Sequence, residues 1–253
     1  MTLYDLMGLI STVALWLPIL FLLAFKLAWY RTFPALLGFI SVLCVYNLLL
    51  IEFLAPSSSF VSIVEKTFYF TAGPLVLLFL SYYCRTAVFR KKILMIIAAL
   101  LVFQTTVAVA KGFSDDAFGI LAVPGLVLAL GMGLYFFARQ VKLTITFQKG
   151  MGKAFLVSAV LFATVGISYI YGVRFYTNPA FRHDAQLIQF MICFLFGGAL
   201  SIGLYFEHKH VKELEEIRIA REELKEIYGE SNEKATGPFG TVALNFDQNE
   251  SWN

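Results

Sequence analysis

Seven stretches of apolar residues, near 6–29, 33–55, 61–84, 93–111, 117–138, 154–175 and 185–206, fill the chain from Leu6 to Phe206, with charged residues collected in the short gaps between them. A helix needs about 20 mostly apolar residues to cross a hydrocarbon layer of roughly 30 Å, and the stretches are about that long. Backbone N–H and C=O groups find no water in lipid and must bond within their own segment. The stretches also lack the two-residue alternation of a membrane barrel. The pattern therefore predicts an all-α, polytopic membrane protein, a seven-transmembrane-helix bundle over residues 1–206. The first stretch has no basic residues before it and no small-residue cleavage site after it, so it is expected to stay as a span.

At Glu207 the apolar pattern stops, and residues 207–228 read E-H-K-H-V-K-E-L-E-E-I-R-I-A-R-E-E-L-K-E-I-Y, rich in helix formers and free of Gly and Pro. Leu214, Ile217, Leu224 and Tyr228 fall on a and d positions of a heptad, interrupted by Arg221 at an a position. This segment is expected to carry the seventh helix into the cytoplasm as an amphipathic, coiled-coil-like helix. It would either pair in a parallel homodimer or lie alone on the membrane or the basic loops. The remaining tail, 229–253, is polar and punctuated, with one apolar patch from Phe239 to Phe246, and is expected to be disordered. Between spans five and six, Val141, Leu143, Ile145 and Phe147 alternate with Lys142, Thr144 and Thr146. That alternation fits a short strand, an interfacial segment or an extension of the fifth helix.

The basic residues give the bundle a direction, because Lys and Arg near span ends stay on the cytoplasmic side. One set of gaps carries Lys26, Arg31, Arg85, Arg90, Lys91, Lys92, Arg139, Lys142, Lys149, Lys153, Lys209 and Lys212; the other carries Lys66, Lys111, Arg174 and Arg182. Twelve against four places the N-terminus outside and the C-terminus in the cytoplasm of what reads as a bacterial inner membrane.

Composition agrees: 59% of residues are hydrophobic and 15% charged, against roughly 45–50% apolar and about 25% charged in soluble domains. The net charge of +3 is accounted for by topology and gives no case for nucleic-acid binding. Cys44, Cys84 and Cys193 lie in three different spans with no C-x-x-C, so neither a disulfide framework nor a zinc site is expected. His208 and His210 are two apart and face different sides of a helix. No cofactor, metal or catalytic motif is evident.

Polar residues inside spans are costly in lipid and face the bundle interior, and here nearly all gather toward the outer half. They are Asn47 and Glu52 of the second span, Glu65, Lys66 and Tyr69 of the third, Gln104 of the fourth, Tyr171 and Arg174 of the sixth, and Gln186 and Gln189 of the seventh, with Cys193 on the same face. Two readings stand. The groups line an outward-facing pocket for a small polar ligand or ion, or the charged ones sit at the interface and pair with one another. Pro18, Pro74 and Pro124 fall inside spans one, three and five, where each frees a carbonyl. Small residues at four-residue spacing, such as Gly197 with Ser201, permit close helix approach.

The stretch F-T-A-G-P-L-V-L-L-F-L-S-Y-Y-C-R-T from Phe70 to Thr86, within seven spans that run straight into a charged helix, is similar to the third span of the seven-helix sensor regions at the N-termini of bacterial membrane histidine kinases and diguanylate cyclases. The resemblance covers spans and linker helix. It implies a receptor that relays an outer signal through its seventh helix, and the absence of a phosphoacceptor histidine box, ATP-binding glycines or cyclase signature implies output through a separate cytoplasmic or membrane partner. A retinal protein would need a lysine in the seventh span, and 185–206 contain none. A seven-helix sugar transporter would repeat spans 1–3 in 5–7; Pro18 and Pro124 correspond, but no proline answers them in spans two and six. The expected function is a non-enzymatic, receptor-like signal transducer. A non-catalytic subunit or assembly factor of a membrane complex is the alternative, and a small-solute transporter a lesser one.

Overall fold

The computed structural model describes residues 3–51, 57–84, 86–112, 115–147, 151–176 and 182–229; of residues 3, 58–59, 115–118, 147, 174–176, 182–183 and 225–229 the backbone alone is described. Its α-helices are α1 (Leu3–Ala24), α2 (Phe33–Leu49), α3 (Ser58–Leu80), α4 (Ala87–Lys111), α5 (Asp115–Phe147), α6 (Met151–Tyr176) and α7 (Arg182–Gly229). Single 3₁₀ turns at Leu27–Trp29 and Ser81–Tyr83 follow α1 and α3. Among the described residues there is no strand, and six of the helices, all but α2, are long and apolar enough to cross a membrane. The chain is built as an integral membrane protein.

The apolar side chains face outward as well as inward. Along α1, Leu6, Ile10, Val13, Leu17 and Leu20 form an exposed stripe at helical spacing, and α4 exposes Met95, Val102 and Val109. Water would penalise such a surface at roughly 25 cal/mol per Å², whereas lipid tails do not.

The helices pack in a ring ordered α1, α2, α3, α5, α6, α7 and back to α1, with α4 outside the ring against α3 and α5. α2 is well enclosed: Phe33, Phe39, Ile40, Tyr46 and Asn47 are buried.

Three expectations shift. The second span ends as a helix at Leu49, 17 residues long, with Pro34 in its first turn. The alternating segment Val141–Phe147 is helical, so α5 reaches 33 residues and the strand reading is excluded. There the local alternation yields to helix continuation from the apolar run before it, and Thr144 and Thr146 donate back to the Gln140 and Lys142 carbonyls at 2.9 and 2.8 Å. The first helix stops at Ala24, and residues Lys26 and Arg31 take left-handed backbone angles, φ 56° and 48°, around the 3₁₀ turn. α7 runs 48 residues without a break, about 72 Å at 1.5 Å per residue.

The prolines set the helix contacts. A proline removes the bond to the carbonyl four residues earlier, which here frees Ala14, Phe70 and Ile120. Gly197 of α7 lies so close to Ala14 of α1 that a Cβ there would sit 2.4 Å from the Ala14 oxygen. Gln104 Nε2 of α4 donates to the Phe70 carbonyl at 3.3 Å and to the Leu121 carbonyl, beside Ile120, at 3.1 Å. Next to these two prolines, Gly73 and Gly125 let α3 and α5 touch backbone to backbone, a Cβ on Gly73 meeting Gly125 Cα at 2.8 Å. At Phe70 a neighbouring helix thus satisfies what the proline leaves open, as a membrane interior requires.

Candidate functional site

At the end of the bundle that holds the N-terminus, polar and aromatic side chains converge inside the ring. Tyr46 of α2 stacks on Phe68 of α3 at 5.3 Å between centroids, Tyr69 meets Tyr46 edge-on at 6.3 Å, and Tyr171 of α6 meets Tyr69 at 5.5 Å. Tyr46, Phe68 and Tyr69, with Gln189, Cys193 and Phe196 of α7, line a cavity of about 10 Å³, near the room one water needs, and Tyr171 backs it through Tyr69. Glu65 is buried one turn from Tyr69 on α3. Tyr4 OH donates to Gln186 Oε1 at 2.5 Å, and its ring packs on Phe190 at 5.1 Å, so α1 closes against the start of α7.

Asn47 forms a separate knot. It is fully buried, its Nδ2 donates to Ser11 Oγ and Thr12 Oγ1 at 2.8 Å each, and both hydroxyls donate to the Gly8 carbonyl at 2.8 Å. Asn47 Oδ1 has no hydrogen-bond partner among the described residues. Gln104, also fully buried, spends its amide on the proline-freed region of α3 and α5 rather than in the chamber. Lys66 is half-buried at the edge. Glu52 lies outside the described residues, and of Arg174 and Tyr228 only the helical backbone is described. The structure therefore gathers Tyr69 and Gln189 around one cavity, with Tyr171, Glu65 and Gln186 beside it, and sets Asn47 and Gln104 to bracing helices.

Sequence reasoning missed Tyr4, Asp5, Ser11, Thr12 and Tyr46. Asp5 and Thr12 share a face of α1 at seven-residue spacing, and both are buried. That spacing was the available signal.

A second polar cluster lies at the opposite end, where α7 leaves the ring. Glu207 is 1% exposed although it opens the charged segment. Tyr82 OH donates to its Oε1 at 2.8 Å, while Oε2 and the buried Tyr83 OH have no hydrogen-bond partner among the described residues. Gly152 of α6 packs on the Glu207 backbone nitrogen, where a Cβ would come within 2.7 Å. His208 stacks on Phe25, just past the end of α1, at 4.2 Å and 9°. Arg139 Nη1 donates to the Tyr83 carbonyl at 3.3 Å. α7 is thus gripped at its exit by the segments that follow α1 and α3 and by the start of α6. Beyond it Leu214, Ile217 and Leu224 are about half exposed.

No family model, curated protein or solved structure matches this chain. Among the described residues no group of three or more His, Cys, Asp and Glu is arranged to hold a metal ion, and the three cysteines are buried and unbonded. The geometry offers hydrogen bonding, buried carboxylates and a long lever.

Proposed function

We propose that this chain is a receptor-like, signal-transducing protein of a bacterial inner membrane, with seven spans, its N-terminus outside and its C-terminus in the cytoplasm. The observation that carries this reading is the unbroken α7, whose outer part lines the aromatic cavity through Gln189 and Cys193 and whose far part presents Leu214, Ile217 and Leu224 to solvent. A small polar ligand or ion shifts the packing of Tyr69, Tyr171 and Gln189, and α7 carries the shift past Glu207. The cavity's size favours an ion or a ligand that opens the chamber. α2 completes the seven: at 17 residues it is about 26 Å long, and a thin or locally compressed bilayer accommodates it at modest cost.

The stripe on the α7 extension takes a partner of its own kind or a cytoplasmic protein. In a parallel homodimer all copies sit at one height in the membrane, so register is fixed, and Glu213 at g faces Arg218 at e of the partner helix.

The test is a stabilisation screen of the purified protein against monovalent and divalent cations and small zwitterions. A compound that raises the melting midpoint of the wild type but not of Glu65→Gln or Gln189→Leu supports the reading. An unchanged cellular response after deletion of 207–253 refutes it. The exposed stripe equally favours a second reading, a non-catalytic subunit of a membrane complex, for which a stoichiometric partner would copurify in mild detergent.

A further inference from the structure

We infer that the end of the bundle where α7 exits carries a binding site for the phosphate of an anionic phospholipid, formed by Arg31 and Lys153, both held at the Tyr82 ring. The two cations come from separate elements, the loop before α2 and the first turn of α6, yet both reach the same ring: Arg31 Cζ lies 5.8 Å and Lys153 Nζ 5.3 Å from the Tyr82 centroid. Arg31 also covers Tyr30 at 5.4 Å. Cations held within about 6 Å of an aromatic ring are attracted to its face, and the ring fixes the spacing of two positive groups that would otherwise repel. Among the described residues no carboxylate lies within ion-pair distance of Lys153.

Glu207 is buried and accepts the Tyr82 hydroxyl. Arg139, bonded to the Tyr83 carbonyl, adds a third positive group at this end of the bundle. The N-terminus of α6 opens at this same end, and a helix N-terminus adds positive potential. Positive groups drawn together from separate elements suit a phosphodiester.

The loop supplies the lipid half of the argument. Trp29 is 86% exposed beside half-buried Tyr30, and both basic residues that bracket the turn, Lys26 and Arg31, hold left-handed backbone angles that side chains other than Gly adopt at a cost. An indole projecting at the span end sits at headgroup depth, where a free phosphate in solution would gain nothing from it. The bound lipid would lie against Tyr82, whose hydroxyl holds Glu207 of α7, so the membrane's charge would bear on the exit of the signalling helix.

Calling this leaflet the inner one rests on the orientation proposed above, but lipid retention is measured without reference to orientation, so failure here leaves that reading standing. The full chain, exchanged into nanodiscs of phosphatidylcholine with a minority of phosphatidylglycerol, is extracted gently and its retained lipids counted by native mass spectrometry. The wild type should retain phosphatidylglycerol over phosphatidylcholine. Each cation near an anionic surface contributes about fivefold, so Arg31→Gln with Lys153→Gln should lower retention about thirtyfold, while Arg31→Lys with Lys153→Arg and Lys91→Gln with Lys92→Gln should keep it. Lys153→Gln alone, expected to cost about fivefold, serves where the double variant does not fold. Equal retention of both lipids by the wild type, an equal loss in the Lys91 and Lys92 variant, or displacement of the lipid by inorganic phosphate would overturn the inference.

Discussion

Replacing Gly197 with Ala tests the contact that seats α7 on α1. An added Cβ would lie 2.4 Å from the Ala14 oxygen and 2.7 Å from its carbonyl carbon, and real Cβ atoms essentially never come within 3.0 Å of another heavy atom. Both contacts are backbone, so neither can rotate away, and α1 must part from α7 by about 0.6 Å. A gap of 0.5–1 Å forfeits about a quarter to a half of each dispersion contact along the crossing, and overpacking of this kind costs about 1–3 kcal/mol. Pro18 raises the stakes, because it leaves the Ala14 carbonyl without its helical partner. Gly198 is the internal control: nothing lies within 4 Å of a Cβ there. Gly198→Ala should be neutral or gain up to about 1 kcal/mol from helix propensity. Unfolding of both variants in lipid nanodiscs, followed by intrinsic tryptophan fluorescence, gives the comparison. Equal stability of the two variants, or a stabilised Gly197→Ala, would refute the backbone contact.

Gln104→Leu removes the amide that bonds the Phe70 and Leu121 carbonyls, and leaving buried acceptors unmet should lower stability by about 1–3 kcal/mol, read in the same unfolding assay. Tyr82→Phe deletes the hydroxyl that holds Glu207; amides of residues 207–213 should exchange hydrogen faster, whereas Glu207→Gln, which keeps an acceptor for Tyr82, should exchange nearly as the wild type does. Orientation is checked with single cysteines in a background lacking Cys44, Cys84 and Cys193: Gly112→Cys should react with an impermeant maleimide on intact cells, and Lys92→Cys only after permeabilisation.

The long spans were legible because composition alone decides them: an uninterrupted apolar run has no other stable form in lipid. The continuity of α7 was equally plain, since residues 204–228 contain neither Gly nor Pro. The extension of α5 was not, because Val141–Phe147 carries a two-residue alternation that only the finished helix overrules. Ring order was hidden as well. Nothing local places α4 outside, and that placement turns Gln104 from a ligand candidate into a brace. Glu207 was assigned to solvent by its charged neighbours, yet it is enclosed because Tyr82 and Gly152, distant in sequence, meet it at the exit. Charge patterning reports average surroundings; it cannot see a partner 125 residues away.

In the function proposed above, α7 couples the aromatic cavity to its extension beyond Glu207. From Gln189 to Glu207 the helix spans about 27 Å, and a packing change at the cavity should be felt at the exit. Hydrogen exchange measured along α7 in the wild type and in Tyr69→Ala decides it. Coupling predicts that exchange rises at 207–213 as well as around Gln189, with α4 unchanged. A change confined to the outer half of α7, with 207–213 exchanging as in the wild type, would contradict it.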